Sequence, residues 1–400
     1  MIIGLIGKAN VGKSTFFNAA TELAVPAANY PFTTIEPNVG VAYARVKCAC
    51  REFGVQDNPV HSMCIDGNRF IPVKLIDVAG LVPGAHAGKG LGNKFLDDAR
   101  QADALIHVVD ASGSTDSAGK AVPAGTGDPM FDIRFVEEEF DLWLSAILSR
   151  DWSKTAREAE NQGQKLEQML AKRFSGLAIP EHLISATVHE SGLSLRKPTQ
   201  WSDDDIGYFC RLLRVKAKPF VVAANKADLP SAEPNIAKMK DAGLAVVPCA
   251  SEAEAMLKKA SKKGILHYLP GDNSFEVKPG VALNDAQKKA LDIVHALMAK
   301  YGSTGVQEAI NIACFQLLRL VPVYPVEDEL RLSDKNGNVL PDVRLLPEGS
   351  TAKDLAATVH ADLAKGFLYA IDARTKQRIG ADHKLKSGDV IKIVSAASRG

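Results

Sequence analysis

Eight residues near the start of the chain, Gly7-Lys8-Ala9-Asn10-Val11-Gly12-Lys13-Ser14, fit the pattern G-x-x-x-x-G-K-[ST]. The chemistry this pattern serves is phosphate binding. Its glycines let the backbone wrap closely around phosphates, so that N–H groups and the N-terminus of the following helix can hold them. The lysine then reaches the β- and γ-phosphates, and the serine hydroxyl ligates Mg²⁺. The nucleotide-binding set in this segment is Gly7, Asn10, Val11, Gly12, Lys13, Ser14 and Thr15, with Lys13 also catalytic and Ser14 also a metal ligand. Further along, Asp77-Val78-Ala79-Gly80 closes an apolar run. A carboxylate there, beside the phosphate loop, can hold Mg²⁺ through water, and the Gly80 N–H can sense a γ-phosphate.

Asn225-Lys226-Ala227-Asp228 follows another apolar run, PFVVAA. The Asp228 carboxylate can accept bonds from the N1–H and the exocyclic amino group of guanine. Adenine has no such amino group and offers an acceptor at N1, so an acidic side chain here selects guanine. Lys226 can lay its stem along the base, and Asn225 can tie this loop to the phosphate loop. After the next run, Cys249-Ala250-Ser251 stands where a backbone N–H would meet the guanine O6.

These groups need a scaffold that brings them together. MIIGLIG, IPVKLIDVAG, DALIHVVDAS, KPFVVAANKAD and LAVVPCAS each read as a buried strand alternating with a helical pattern. That alternation predicts a doubly wound parallel α/β sheet, whose loops at the carboxyl ends of the strands bind ligands. Between Phe131 and Lys218 the rhythm gives way to helical spacing, which predicts a helical insertion, read as a helix pair. Ser112–Pro129, dense in Gly, Ser, Pro and Asp, is the loop leading into it. From Val321 the texture changes again. A strand, a turn at Lys335-Asn336-Gly337, another strand, a helix with Ser350 as N-cap candidate, and the strands FLYAID and DVIKIVS suggest a small ubiquitin-like α+β module. The segmentation is therefore 1–130 with 219–320, an insertion over 131–218, and a module over 321–400.

Forty-eight basic against 47 acidic residues give a net charge of +1, so no global field points to sequence-specific DNA binding. At 46% apolar and 24% charged, the 400 residues are neither a disordered nor a fibrous chain. The apolar run Met1–Ile6 is too short for a signal segment or a membrane span. The six cysteines (Cys48, Cys50, Cys64, Cys210, Cys249, Cys314) are too few and uneven for a disulfide framework. The expectation is a soluble, cytoplasmic protein with no membrane partner.

The order of motifs is that of a GTPase, and two further stretches resemble one branch of that family. Asn29-Tyr30-Pro31-Phe32-Thr33-Thr34-Ile35-Glu36-Pro37-Asn38 is similar to the switch I of Obg-related GTPases. Asp77-Val78-Ala79-Gly80-Leu81-Val82-Pro83-Gly84-Ala85, with Gly88-Lys89-Gly90-Leu91-Gly92-Asn93-Lys94-Phe95-Leu96, is similar to their switch II. Gly366-Phe367, the stretch Arg374–Lys386 and Gly388-Asp389-Val390 resemble a TGS domain. Together these resemble the YchF-like branch, in which a P-loop G domain carries a coiled-coil-like helical insertion and ends in a TGS domain. The resemblance implies slow GTP hydrolysis, Thr34 as a switch I ligand of Mg²⁺ and γ-phosphate, and a ribosome or other RNA-containing partner reached through the TGS and helical regions. Members with a degenerate base motif favour ATP, whereas Asn225-Lys226-Ala227-Asp228 is intact here. Leu81 occupies the place where many GTPases carry a water-orienting glutamine. Asn10 sits where some relatives ligate K⁺; it also has the simpler reading of a residue that shapes the loop.

Cys48, Cys50, His61 and Cys64 are suitable in type for zinc, but C-x-C is tighter than the usual spacing, and scattered thiols are the plainer account. His107 reads as a core or strand-end histidine. His86 and Lys89 read as solvent-facing loop residues, or as groups that approach the phosphates in a closed state. Residues 374–392 carry six basic and two acidic side chains, a net +4 that suits phosphate backbones or the solvated edge of a small sheet. The competing functions are a metabolic or RNA-modifying P-loop enzyme, opposed by the lack of a second catalytic constellation, and a scaffold with vestigial binding, opposed by intact Lys13, Ser14, Asp77 and Asp228.

Overall fold

Apolar side chains at nearly every position leave Ile2–Ile6 and Ala104–Asp110 no face for solvent, and both segments are buried strands. The computed structural model describes residues 1–22, 38–78, 98–177 and 179–396. These fall into two units, one of Met1–Ala19, Asn38–Gly40 and Lys74–Ala309, the other chiefly of Val41–Val73 and Ile310–Gly400. The first unit thus includes the helical segment, and the second joins residues 41–73 to the C-terminal module.

In chain order the strands of the larger sheet are β1 (Ile2–Ile6), β2 (Val39–Lys47), β3 (Met63–Ile65), β4 (Asn68–Asp77), β5 (Ala104–Asp110), β6 (Phe220–Asn225) and β7 (Val246–Pro248). The five strands read from apolar runs lie in the order β4-β1-β5-β6-β7, and every neighbouring pair is parallel. The sheet therefore delivers the carboxyl ends of all five strands to one edge, where the loops that follow them meet. β2 neighbours β4, and β3 pairs with it antiparallel. Neither β2 nor β3 is among the strands read from the sequence, because β2 mixes glycine and basic residues with apolar ones and β3 is only three residues long.

The helices that matter for the site are α1 (Lys13–Thr21), α2 (Ala49–Phe53) and the set α3 (Pro129–Ser149), α4 (Trp152–Asn161), α5 (Leu166–Arg173), α6 (Glu181–Glu190) and α7 (Asp203–Ala217). Among the described residues the insertion thus holds five α-helices rather than a pair. Asp151, Gly163 and Gly192 adopt left-handed backbone that breaks the helical run, and Pro180 caps α6. Their common core includes Leu148, Trp152, Phe174, Trp201 and Phe209. Asp128 caps α3 through its carboxylate, which accepts from the Met130 N–H, with Pro129 at the first helical position.

The C-terminal module is a five-stranded sheet of β10 (Leu320–Val326), β11 (Arg344–Pro347), β12 (Phe367–Asp372), β13 (Arg378–Ile379) and β14 (Val390–Ser395), after a short ribbon of β8 (Leu266–His267) and β9 (Glu276–Val277) in the first unit. Its order is β11-β10-β14-β12-β13, with β10 parallel to β14. The helix Ala352–Val359 packs Ala352 and Leu355 against Val323, Ala370 and Ile391. Its N-cap is Thr351, one residue beyond the expected Ser350. The Thr351 hydroxyl accepts from the Asp354 N–H at 3.2 Å, and the Asp354 carboxylate accepts from the Thr351 N–H at 2.8 Å.

His107 is the core histidine its sequence context indicates. It lies on β5 between Ile6 of β1 and Val222 of β6, edge-on to Phe220, with its Nδ1 unpartnered. Full burial pushes its pKa down to about 3 from 6.5, so it stays neutral in the fold. A base depressed in the folded state gives stability that is intact above the unfolded pKa and lost as the pH falls below it. His107→Leu should therefore flatten the loss of stability between pH 6.5 and about 4.5, where the wild type forfeits about 2–3 kcal/mol through this group. Urea midpoints measured across that range check this; parallel curves for the two proteins would refute it.

Candidate functional site

The loop between β1 and α1 turns on two glycines. Gly7 has φ +150°, and a Cβ there would stand 2.5 Å from the Val108 carbonyl oxygen of β5. Gly12 has φ +90°, and its Cβ would stand 2.2 Å from Asn225 Nδ2. Both positions need a residue without a side chain. Val11 is buried, Ser14 is exposed on the first turn of α1, and Thr15 beside it is half-buried. The Lys13 ammonium pairs with the Asp77 carboxylate at the end of β4. The P-loop cation and the carboxylate expected near Mg²⁺ are therefore adjacent, with Ser14 next in the chain. Such oxygens suit a hard divalent ion.

Lys8 faces inward and is 6% exposed. Its ammonium bonds the Asp132 carboxylate at 2.7 Å and the Asp116 carbonyl at 2.6 Å. Asp132 lies in the first turn of α3, and burial pushes its carboxyl up to about 6 despite the lysine. Asn10, in left-handed backbone at φ 64°, donates its side-chain N–H to the Gly119 carbonyl at 2.8 Å. The segment after β5 therefore packs on the phosphate loop instead of simply leading into the insertion. Hydrogen bonds from Val122 N to Ser114 O and from Gly127 N to Gly113 O tie it together. A Cβ on Gly127 would meet the Thr115 oxygen at 2.1 Å. The dense Gly, Ser and Pro content signals a turn-rich segment but not what it packs against.

On the other side, buried Asn225 ends β6. Its Nδ2 donates to the Val11 carbonyl at 2.9 Å, and its Oδ1 accepts from the Ser251 N–H at 3.1 Å and the Ser251 hydroxyl at 2.9 Å. Its backbone carbonyl accepts from Ala111 N. Lys226, in left-handed backbone, reaches the Asp110 carboxylate at 2.9 Å and the Ser114 hydroxyl at 3.0 Å. Burial is the largest influence on Asp110 and would raise its pKa, but hydrogen bonds from the Ser112 hydroxyl, Lys226 and the Ser114 hydroxyl hold it below its ordinary carboxylate range. Asp228 is exposed. In Cys249-Ala250-Ser251 every backbone N–H already donates to protein: Cys249 to the Ala224 carbonyl, Ala250 to the Thr304 carbonyl, and Ser251 to Asn225. Thr34, Gly80, Leu81, His86 and Lys89 lie outside the described residues.

In the second unit the +4 stretch is largely engaged. Arg374 pairs with Glu52 and Asp389, and Lys392 pairs with Glu329 at 2.7 Å. Lys376 and Lys384 donate to the Glu329 and Gly349 carbonyls, and Arg378 lies over the Tyr369 ring. The thiols Cys48, Cys50 and Cys64 do gather, but with Asp57 and not with His61. Asp57 and Asp132 are the functional candidates that the sequence reading passed over. Each is one carboxylate among 47 acidic residues, without a motif to mark it.

Three family models match parts of the chain. Residues 2–127 match that of the 50S ribosome-binding GTPases, 223–328 that of the Obg-like GTPase YGR210-like, G4 motif-containing domain, and 336–395 that of the TGS domain. The chain is 50% identical over 398 residues, 99% of each chain, to an uncharacterized GTP-binding protein of Methanocaldococcus jannaschii. It is 26% identical over 378 residues, 92% of this chain and 87% of the other, to the ribosome-binding ATPase YchF of Bacillus subtilis. The crystal structure of a GTP binding protein from Pyrococcus horikoshii superposes with a TM-score of 0.79 at 43% identity, over 99% of this chain and all of that one. Among the described residues no helix is long and apolar enough to cross a membrane.

The buried Lys8–Asp132 pair yields a stability prediction. Asp132→Ala strands the lysine cation and should cost about 3–5 kcal/mol, whereas the double variant Lys8→Met/Asp132→Leu should cost less than that single change. Denaturant unfolding decides the matter. A double variant less stable than Asp132→Ala would contradict it.

Proposed function

We propose a function from one premise: this chain belongs to the YchF-like branch of the Obg-related GTPases. It is a GTP-binding protein with a P-loop GTPase domain and a C-terminal TGS domain. Within that family we read it as a slow molecular switch that prefers guanine and engages a ribosome or another RNA-containing partner. The alternative of a metabolic or RNA-modifying P-loop enzyme has no second catalytic cluster to support it among the described residues.

The observation that carries the guanine reading is the Asn225 side chain, which bonds the phosphate loop on one side and Ser251 on the other. It sets Lys226 and Asp228 next to the site where Gly7, Asn10, Val11, Gly12, Lys13, Ser14 and Thr15 would hold phosphates. In this reading Lys226 covers the base and Asp228 takes its N1–H and amino group. Because Asp228 is exposed, discrimination comes from the mismatch with the adenine N1 acceptor more than from a buried unpaired charge. The N–H groups of Cys249, Ala250 and Ser251 reach a guanine O6 only by giving up their protein acceptors. An incoming phosphate would take Lys13 from Asp77, and Ser14, Thr34 and the released Asp77 carboxylate would be the residues to hold Mg²⁺, which would supply positive charge against that developing on the phosphates. Gly80 would sense the γ-phosphate. The partner reading rests on the ribosome-binding names of the Bacillus relative and of one family model. Residues 131–218 and 321–400 are the regions proposed to make the contact, in a cytoplasmic setting.

GTP and GDP should bind at least about tenfold more tightly than ATP and ADP, and Asp228→Asn should narrow that gap. Competition titration tests it, and equal affinities would overturn the guanine reading. Lys13→Ala should abolish hydrolysis.

Basal turnover should be on the order of 10⁻² per second or slower, since Leu81 cannot orient water. With its N–H committed to Gly119, Asn10 keeps its carbonyl oxygen as a possible K⁺ ligand. K⁺ should then accelerate turnover over Na⁺ at equal ionic strength, and Asn10→Ala should erase the difference. Equal rates in the two salts would leave activation to a partner.

A further inference from the structure

Outside the nucleotide site, three thiols and a carboxylate converge inside the second unit. Cys48 follows β2 and caps α2, Cys50 lies on α2, Cys64 lies on β3, and Asp57 comes from the loop between α2 and β3. Their donor atoms all lie within 4.8 Å of one another, with Cys50 Sγ 3.7 Å from Cys64 Sγ and Cys48 Sγ 3.1 Å from an Asp57 oxygen. We propose that Cys48, Cys50, Asp57 and Cys64 form a mononuclear zinc site that ties the end of β2, α2, the loop after it and β3 to one another.

The distances fit one tetrahedral ion. Zn–S bonds of about 2.3 Å set thiolate sulfurs about 3.8 Å apart along a tetrahedral edge, close to the Cys50–Cys64 separation. A four-iron cluster binds each ligand to a different iron and needs its sulfurs further apart. A disulfide would use only two of the four converging donors. The surroundings also suit a charged centre. Three thiolates and one carboxylate around Zn²⁺ carry two net negative charges, and Arg69, fully buried, supplies a positive one. Its Nε lies 3.4 Å from Cys48 Sγ, and its Nη2 donates to Asp57 at 2.8 Å and to the Leu340 carbonyl at 3.0 Å. Its Nη1 donates to the Ser62 hydroxyl at 2.8 Å. This is the outer layer of hydrogen bonds that orients metal ligands. Around it, Tyr324, Val326, Leu340 and Val390 form an apolar shell that excludes water.

The sequence makes C-x-C and a third cysteine visible, but the fourth ligand is a carboxylate seven residues beyond Cys50 with no spacing rule to flag it. The site is structural in kind: all four positions of a tetrahedron are filled by protein, which leaves none for water or substrate.

Cobalt is the probe. Reduced, chelator-stripped full-length protein should take up one equivalent of Co²⁺, with thiolate-to-cobalt charge transfer and the strong visible bands of a tetrahedral site, and Zn²⁺ should bleach them stoichiometrically. Cys64→Ser should weaken this binding by more than about 100-fold while the far-ultraviolet circular dichroism of the full chain matches the wild type and shows that both units are folded. Cys210→Ser, in the helical insertion, should leave the metal titration unchanged. Asp57→Asn offers a second route should Cys64→Ser prove insoluble, with a shifted cobalt spectrum expected. The absence of a tetrahedral cobalt spectrum in the wild type would overturn the proposal. So would a Cys50–Cys64 disulfide in protein purified without reductant, or iron in place of zinc in the purified protein.

Discussion

One side-chain amide holds the proposed nucleotide site together. Asn225 has two hydrogen-bonding ends and uses both, donating to the Val11 carbonyl and accepting twice from Ser251. Three segments that are far apart in the chain thereby acquire fixed relative positions: the phosphate loop, the loop after β6 and the start of the helix Ser251–Lys262. An amide does this better than a carboxylate or a lysine, because one end must donate and the other accept. Its fit also explains Gly12, where any Cβ would collide with the Asn225 nitrogen. Buried polar groups committed in this way are costly to leave unpaired, so the loops stand or fall together.

A second layer of pairings settles what the cations of the phosphate loop do. Lys13 is held by Asp77 at the end of β4, and Lys8 by Asp132 in the first turn of α3. The two lysines differ in purpose. Lys13 is partly accessible and can exchange its carboxylate for a phosphate, whereas Lys8 is enclosed and serves as a fastening. The helix it fastens is 21 residues long and contributes Leu144 and Leu148 to the core of the helical insertion. α3 is therefore one continuous helix with a buried ion pair at the phosphate loop near its start and the insertion's apolar core towards its end.

What was legible in the sequence was local. The phosphate loop, the Asn225–Asp228 motif and the five parallel strands are each written in contiguous residues, and a strand buried on both faces shows itself as an unbroken apolar run. What was not legible depended on partners distant in sequence. Lys8 meets Asp132 across 124 positions, and Arg374 meets Glu52 across 322, so that the apparent basic patch has part of its charge paired by carboxylates from elsewhere in the chain. The helical insertion reads as a pair when only its apolar spacing is considered; the breaks at Asp151, Gly163 and Gly192 and the shared Trp152–Trp201 contact make it five helices. The thiol cluster is half legible, because cysteines announce themselves and Asp57 does not.

The central claim is that Asn225 couples phosphate binding to base recognition, and a ligand without a base tests it. Calorimetric titration of wild type and Asn225→Ala with GDP and with pyrophosphate separates the two functions. If Asn225 shapes the phosphate loop through the Val11 carbonyl, the variant should bind both ligands about tenfold or more less tightly, since one lost buried hydrogen bond is worth about 1–3 kcal/mol. Undiminished pyrophosphate binding alongside weakened GDP binding would contradict the account and reduce Asn225 to a residue of the base loop alone.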